Sequence, residues 1–169
     1  MDFLGLRTLT VIQNAVLLAR RKQPELNINQ IDYNDQKVLD YIGTGKTDGV
    51  FQLESAGMKG FMKELKPHNL EDVIAGISLY RPGPMDFIPQ YIRGKNDSSS
   101  ITYDCPQLEP ILAPTYGCIV YQEQVMQIVR DLAGYSLGRS DLLRRAMSKK
   151  KAAVMEKERK IFIYGDEET

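Results

Sequence analysis

The sequence contains few of the side chains that most often bind metals or act as nucleophiles. Among its 169 residues only Cys105 and Cys118 are cysteines, and His68 is the single histidine. Neither cysteine has a further cysteine or histidine at the spacing of zinc ligands, which argues against a zinc site and against a Cys/His nucleophile pair. Because no export signal is present, we expect a reducing compartment in which both thiols stay free.

Long apolar runs are also missing from the chain. No stretch reaches the roughly 18 apolar residues that a membrane-spanning helix needs. The N-terminus has no basic region followed by an apolar core and a small-residue cleavage site. We therefore expect neither membrane insertion nor secretion, and predict a cytoplasmic protein. With 43% hydrophobic and 26% charged residues, the composition is that of an ordinary folded domain.

The charges are balanced overall but unevenly distributed. Lysine and arginine number 22, as do aspartate and glutamate, so the formal net charge is zero. Between residues 137 and 160, however, nine basic residues stand against three acidic ones, which leaves the remainder net acidic by six. Such a basic segment is able to bind phosphate through counterion release. The alternative is a solvated helix face, since most charge runs have no further function.

Apolar residues recur at helical spacing along most of the chain, which predicts a mainly α fold, an irregular multi-helix arrangement with at most a short strand or two. Helices are predicted over residues 6–22, 55–65, 70–80, 121–133, 137–149 and 152–164, with a shorter helix, capped by Asn34 or Asp35, that ends at residue 42. A brief strand is expected near residues 50–53. Residues 81–84, Arg-Pro-Gly-Pro, predict a rigid corner, and residues 94–100 predict an exposed loop.

The periodicity also predicts which helix faces are buried. The first helix is expected to be well buried. In helix 121–133 the inward residues are expected to be Val125, Ile128, Val129 and Leu132, and the outward ones Gln122, Gln124, Gln127 and Asp131. In helix 137–149 the expected core stripe is Leu142, Leu143, Ala146 and Met147. The same helix then carries a polar face of Asp141, Arg144, Arg145 and Ser148, on which the two arginines form a candidate anion site.

Five motifs in this sequence occur in an order and spacing that a chance match does not explain. They are MDFLGLRTLT at the start, VFQLESAGM from Val50, LYRPGPM from Leu79, TYGCIVYQEQVM from Thr115 and AGYSLGRSDLLRRAMSKKK from Ala133. Over essentially its whole length the chain resembles the alpha subunit of bacterial DNA polymerase III, the family-C replicative polymerases. The resemblance implies that residues 1–6 form the last catalytic strand of the palm and residues 7–169 the N-terminal part of the helical fingers domain.

The resemblance also implies a role for Asp2. In that family a carboxylate directly before the sequence FLGL is the third metal-binding aspartate of the palm, so Asp2 is the expected catalytic and Mg²⁺-binding residue. Two magnesium ions held by carboxylates activate the primer hydroxyl and stabilise the leaving pyrophosphate. The family's other two catalytic aspartates lie upstream of residue 1, which implies a fragment that is inactive alone.

Fingers domains commonly offer cations to the triphosphate of the incoming nucleotide, and arginine suits this because its planar fork meets phosphate oxygens bidentately. Arg144 and Arg145 are therefore the expected nucleotide-binding residues, together with Arg81 in the proline corner. A surface salt bridge with Asp141 or Glu156 is the alternative for the pair, and a simple helix connection is the alternative for Arg81. Lys149 and Lys150 are expected to contact DNA backbone phosphates.

Four residues near Gly117 complete the candidate set. Tyr116 and Tyr121 are placed to stack on a base or a sugar, although core packing is the commoner role of a tyrosine. Gln122 and Glu123 open a helix, where an acidic side chain already complements the helix dipole, so both are expected to be structural.

The resemblance implies primer-template DNA and deoxynucleoside triphosphates as partners, with a sliding clamp and other replisome subunits bound through the longer chain, and no membrane. Two other hypotheses remain. A non-catalytic helical nucleic-acid-binding module predicts steeply salt-dependent binding without any response to nucleotide. An adaptor built from amphipathic helices predicts negligible DNA affinity and an exposed apolar patch.

Overall fold

A computed structural model of the chain describes residues 5–166, and every regular element within them is a helix. The α-helices are α1 (Arg7–Ala19), α2 (Gln36–Gly43), α3 (Ala56–Leu65), α4 (Leu70–Leu79), α5 (Ile88–Asn96), α6 (Glu109–Leu112), α7 (Gln122–Ala133), α8 (Leu137–Ser148) and α9 (Ala152–Tyr164). No strand occurs in the described part of the chain, so the predicted mainly α class is confirmed. None of these helices is both long and apolar enough to cross a bilayer.

The chain divides into two compact units, one up to Val73 and the other from Ile74 onward. The first unit takes its core from α2, from the loop after it and from α3. Met58, Phe61, Met62 and Leu65 are at most 5% exposed, as the helical spacing predicts. Ser55 starts α3 because its side chain accepts a hydrogen bond from the backbone N–H of Met58. Asp35 caps α2 in the same way, through the N–H of Lys37.

Helix α1 exists where predicted, but the expectation that it is well buried is wrong for the described residues. None of its residues is buried, and Leu9, Val11 and Leu17 are 61%, 65% and 56% exposed. An amphipathic pattern predicts that one face of a helix is apolar. It does not predict that the same 169 residues supply a partner for that face.

The strand expected near residues 50–53 is absent, and a compact turn takes its place. Gly49 and Gln52 both adopt positive φ, at 73° and 66°, which is incompatible with an extended strand. The hydroxyl of Thr47, a buried residue, donates to the carbonyl of Leu53 at 2.6 Å and closes the turn. The local hydrogen bonds therefore compete successfully with the β propensity of the apolar residues.

The second unit has two small apolar clusters, and residues of α7 take part in both. Leu108, Ile111 and Leu112 form the first, with Ile128 of α7 packed against them. The second consists of Val129, Tyr135 and Leu143, against which Met155 and Ile161 of α9 pack. The second cluster fixes α7, α8 and α9 relative to one another. The basic segment, residues 137–160, lies on α8 and α9.

The corner at residues 81–84 forms as predicted: α4 ends at Leu79, and Gly83 adopts φ 104° before a 3-10 turn at Pro84–Phe87. The loop expected over residues 94–100 is only partly correct, since α5 continues to Asn96. Gly94 is buried rather than exposed, and it packs so closely against Tyr116 that a Cβ at position 94 would lie 2.8 Å from the Cβ of Tyr116. A side chain at position 94 would therefore displace the backbone of the neighbouring loop.

Candidate functional site

The polar face of α8 is organised around one carboxylate. Nε and Nη2 of Arg144 donate to Oδ1 of Asp141 at 2.9 and 2.7 Å. Nε of Arg145 lies 2.7 Å from the other oxygen, Oδ2. The two ion pairs follow from the helical spacing, because residues three and four positions after Asp141 lie on the same helix face as its side chain.

The two arginines hold Asp141 in its ionised form. The hydrogen bond from Arg144, followed by the charges of Arg145 and Arg144, lowers the pKa of Asp141 below its ordinary value of 3.8. The side chains of Asp141 and Arg145 are 30% and 67% exposed. Solvent screens exposed ion pairs of this kind and they add little stability, so their main effect is to orient the two guanidinium groups.

Arg144 is held from a second direction by α7. Its Nη1 donates to Oε1 of Gln122 at 3.1 Å, while Nε2 of Gln122 lies 3.4 Å from the hydroxyl of Ser148. Gln122, expected to be merely structural, thus connects the first turn of α7 to the polar face of α8. With Asp141 on one side and Gln122 on the other, Arg144 is more restricted than its neighbour Arg145.

Gln122 also lines a cavity of about 440 Å³ that contains Arg81. The proline corner supplies one wall of this cavity, and the beginning of α7, from Val120 to Glu123, supplies the other. Arg81 is exposed, and its backbone carbonyl accepts from the N–H of Met85 at 3.1 Å. Of the three predicted nucleotide-binding arginines, Arg81 therefore lines this cavity. Arg144 does not line it but donates a hydrogen bond to Gln122, which does.

Arg145 lines a different cavity, of about 530 Å³, between α8 and α9. Lys149 and Lys151 line the same cavity, as does Asp141. Successive residues of an α-helix point about 100° apart, so two adjacent arginines can serve two separate sites. Of the candidate pair predicted from the sequence, Arg145 thus lines this cavity, whereas Arg144 lines neither cavity and instead donates to Gln122.

Lys150 does not line either cavity, although it was predicted to act together with Lys149. It adopts φ 50°, a left-handed conformation. The N–H groups of Lys150 and Lys151 donate to the carbonyls of Met147 and Ala146, both at 3.0 Å, which is the Schellman arrangement at the end of α8. This turn brings Lys151, rather than Lys150, back to the cavity.

Asp2, the predicted catalytic and metal-binding residue, lies outside the described residues. Between residues 5 and 166, no three side chains of histidine, cysteine, aspartate or glutamate come together as a metal-ion site. A magnesium ion bound at Asp2 would need carboxylates from elsewhere in a longer chain.

The two candidate stacking tyrosines have different surroundings. The ring of Tyr116 contacts that of Tyr91 edge to face, with centroids 5.0 Å apart, and its backbone packs on Gly94. This is the core-packing alternative. Tyr121 instead lines the cavity with Arg81.

A buried amide that was predicted to face solvent supports this region. Gln124 is 7% exposed, and its Oε1 accepts from the backbone N–H groups of Val120 and Tyr121, both at 2.9 Å. Its Nε2 donates to the carbonyl of Ile111 at 3.2 Å and to the hydroxyl of Thr115 at 2.7 Å. A glutamine at the third helical position is half of a capping box, and this signal was available in the sequence.

Comparison with known proteins gives consistent matches. The model of a family described as the bacterial DNA polymerase III alpha subunit finger domain matches residues 8–169. A DNA polymerase III subunit alpha from Halalkalibacterium halodurans is 52% identical over 166 residues, which are 98% of this chain and 15% of that protein. One from Staphylococcus aureus is 51% identical over 166 residues, 97% of this chain and 16% of that protein. The chain thus spans about one sixth of the length of these relatives.

Proposed function

Because this chain belongs to the bacterial DNA polymerase III alpha subunit finger domain family, we propose that it is part of a DNA-directed DNA polymerase. In the longer polymerase it would help to add deoxynucleoside triphosphates to a primer 3′ end during bacterial chromosome replication. Primer-template DNA, a sliding clamp and other replisome subunits are the proposed partners, and the cytoplasm is the proposed location. The contribution of this segment is to bind and orient the nucleotide.

The arrangement of Arg144 carries the proposal. Its guanidinium donates two hydrogen bonds to Asp141 and one to Gln122, and these keep it beside the cavity that contains Arg81. Guanidinium groups stay charged and donate to phosphate oxygens in pairs. An incoming triphosphate has more negative charge than Asp141, so its oxygens can accept hydrogen bonds from the remaining N–H groups of Arg144. Asp141 and Gln122 already hold the guanidinium in place, so α8 does not need to move far. Arg145, held by the same carboxylate, is the third candidate cation.

Magnesium is the proposed cofactor of the longer enzyme, and Asp2 is its proposed ligand in this segment. When bound, two such ions would activate the primer hydroxyl and stabilise the charge on the leaving pyrophosphate. One carboxylate does not hold two magnesium ions. The isolated 169-residue chain is therefore expected to show no template-directed synthesis, and measurable synthesis by a preparation free of other polymerases would contradict this part of the proposal.

The test is steady-state primer extension by the full-length polymerase that carries this segment, with DNA binding measured on the same samples. We expect Arg144→Ala to raise the apparent nucleotide KM by about tenfold or more, which corresponds to the roughly 1.5–3 kcal/mol of a hydrogen bond to a charged group, and to leave primer-template affinity nearly unchanged. The matched control is Arg130→Ala, which removes an exposed arginine from α7 that lines neither cavity.

Other outcomes of this experiment identify the alternatives. Loss of DNA affinity with an unchanged nucleotide KM would make Arg144 a backbone contact and favour the non-catalytic nucleic-acid-binding module. Equal effects of Arg144→Ala and Arg130→Ala would show that only total charge matters, and the proposed nucleotide site would be wrong.

A further inference from the structure

Helix α9 contributes a buried acid to its contact with α8. Of the residues of α9, all of which the structure describes, only Glu158 is buried. Nε of Arg139, in the first turn of α8, donates to Oε2 of Glu158 at 3.2 Å, and Nη2 of Arg139 donates to Oδ2 of Asp166 at 3.4 Å. The side chains of Arg139 and Glu158 are 20% and 9% exposed. Removal of Arg139 would therefore leave a largely buried carboxylate without its cation, which is far more disruptive than the loss of a surface ion pair.

Arg139 also contacts the turn that joins α7 to α8. Its Cζ lies 4.4 Å from the centroid of the Tyr135 ring, a cation–π geometry. The hydroxyl of Tyr135 donates to the backbone carbonyl of Glu158 at 3.2 Å, and its ring packs with Val129 of α7 and Leu143 of α8. Arg139 and Tyr135 together therefore fix the turn end of this helix pair to α9.

The opposite end of the same helix pair holds Arg144. A three-residue turn joins α7 to α8, and Gln122, in the first turn of α7, contacts both Arg144 and Ser148 of α8, at 3.1 and 3.4 Å. Along the axis of α8, Arg144 and Ser148 lie about 7 and 14 Å from Arg139. A tilt of α8 by about 8° at the turn would displace them by about 1 and 2 Å over these lengths. Displacements of this size break hydrogen bonds, which are lost beyond about 3.5 Å.

We propose that Arg139 is a positioning residue for nucleotide binding. By fixing the turn end of α7 and α8 to α9, it maintains the hydrogen bond between Gln122 and Arg144 at the other end. The proposal rests on the proposed function, because it assumes that Arg144 binds the nucleotide. Arg139 lines neither the cavity that contains Arg81 nor the cavity between α8 and α9, so its effect on the nucleotide is indirect.

The test is a double-mutant cycle on the nucleotide KM of the full-length polymerase that carries this segment. Arg139→Ala and Gln122→Ala are compared singly and together, and primer-template affinity is measured on the same samples. We expect each single variant to raise the nucleotide KM about threefold to tenfold, a usual size for coupling within one hydrogen-bond network, without loss of DNA affinity. The double variant should have the same KM as Gln122→Ala alone. A purely structural effect of Arg139 would instead add to that of Gln122.

Two further variants complete the experiment. Arg139→Lys keeps the positive charge but lacks the planar fork that reaches two acids at once, so it should raise the nucleotide KM less than Arg139→Ala. If Arg139→Ala does not fold, Arg139→Lys takes its place in the cycle with Gln122→Ala. The matched control is Arg159→Ala, since the ion pair of Arg159 with Glu156 is exposed and lies within α9. It should leave the nucleotide KM unchanged.

Three results would overturn the positioning role of Arg139. They are a wild-type nucleotide KM in Arg139→Ala, the same increase in KM with and without the Gln122 side chain, and an equal increase in Arg159→Ala. Failure of the proposed function gives a different result, because Arg144→Ala would then leave the nucleotide KM unchanged. If only the positioning role fails, Arg144→Ala still raises the nucleotide KM.

Discussion

Replacing Gln124 by methionine tests whether the first turn of α7 depends on one buried amide. Methionine keeps the length and most of the shape of glutamine, so the cavity left behind is small. It removes the acceptor of two backbone N–H groups, those of Val120 and Tyr121, and the donor to the carbonyl of Ile111 and the hydroxyl of Thr115. Four hydrogen bonds are lost at a site where the side chain is 7% exposed.

The magnitude follows from the groups left without partners. A buried donor that loses its acceptor costs about 1–3 kcal/mol. Val120 and Tyr121 are only partly buried, so water can satisfy some of this loss. We therefore expect the free energy of unfolding to fall by about 3 kcal/mol, and Tm to fall by about 6–12 °C for a chain of this length.

The assay is urea unfolding followed by circular dichroism, with Gln127→Met as the matched control. Gln127 is exposed on the same helix, and its replacement is expected to change stability by less than about 0.5 kcal/mol. If Gln124→Met is as stable as this control, the amide network contributes nothing measurable, and the structural argument for the start of α7 fails.

Three further predictions concern single groups of the second unit. Burial raises the pKa of Cys118 to about 11 from an ordinary 9.0, so at pH 8 its thiol should react with a disulfide reagent roughly 100-fold more slowly than an exposed thiol, as a timed reaction of a Cys105→Ser variant would show. The pKa of Asp141 is lowered, so its stabilising effect is present above pH 3.8 and is lost as pH falls through the lowered pKa. Because the hydrogen bond from Arg144 is the main cause, Arg144→Gln should raise the pKa of the Asp141 carboxyl group, measured by an NMR titration. Lys150→Gly should raise the unfolding free energy by about 0.5–1 kcal/mol in urea, because glycine adopts φ 50° without strain; a loss of stability would contradict the Schellman assignment.

Helix positions could be predicted from the sequence because hydrophobic periodicity and capping residues act locally. Asp35, one of the two predicted caps, caps α2, and α9 has the predicted bounds, residues 152–164. Burial was less predictable, because it depends on which partners the rest of the fold supplies. Leu142 and Met147 lie on the expected core stripe of α8 yet are 50% and 42% exposed, and Leu132 of α7 is 37% exposed.

The candidate site shows the same division between local and tertiary information. The sequence indicated Arg144 and Arg145 as a cationic pair, and it contained the Asp141 spacing that orients both. It did not indicate that Gln122 reaches Arg144 from another helix, since that contact spans 22 positions in the chain. Lys151 was missed because its position depends on the left-handed turn at Lys150. A lysine that adopts this conformation has no sequence signature comparable to a glycine at a helix end.

The most direct test of the central claim is single-turnover primer extension by the full-length polymerase that carries this segment, comparing wild type with Asp2→Asn. DNA binding is measured on the same samples, and Asp104→Asn, at an exposed position, is the matched control. A bound metal ion contributes several kcal/mol to the transition state, so we predict roughly a thousandfold slower extension with DNA affinity retained. Extension at the rate of the control would show that Asp2 is not a metal-binding catalytic residue and would contradict the assignment of this chain to the active polymerase.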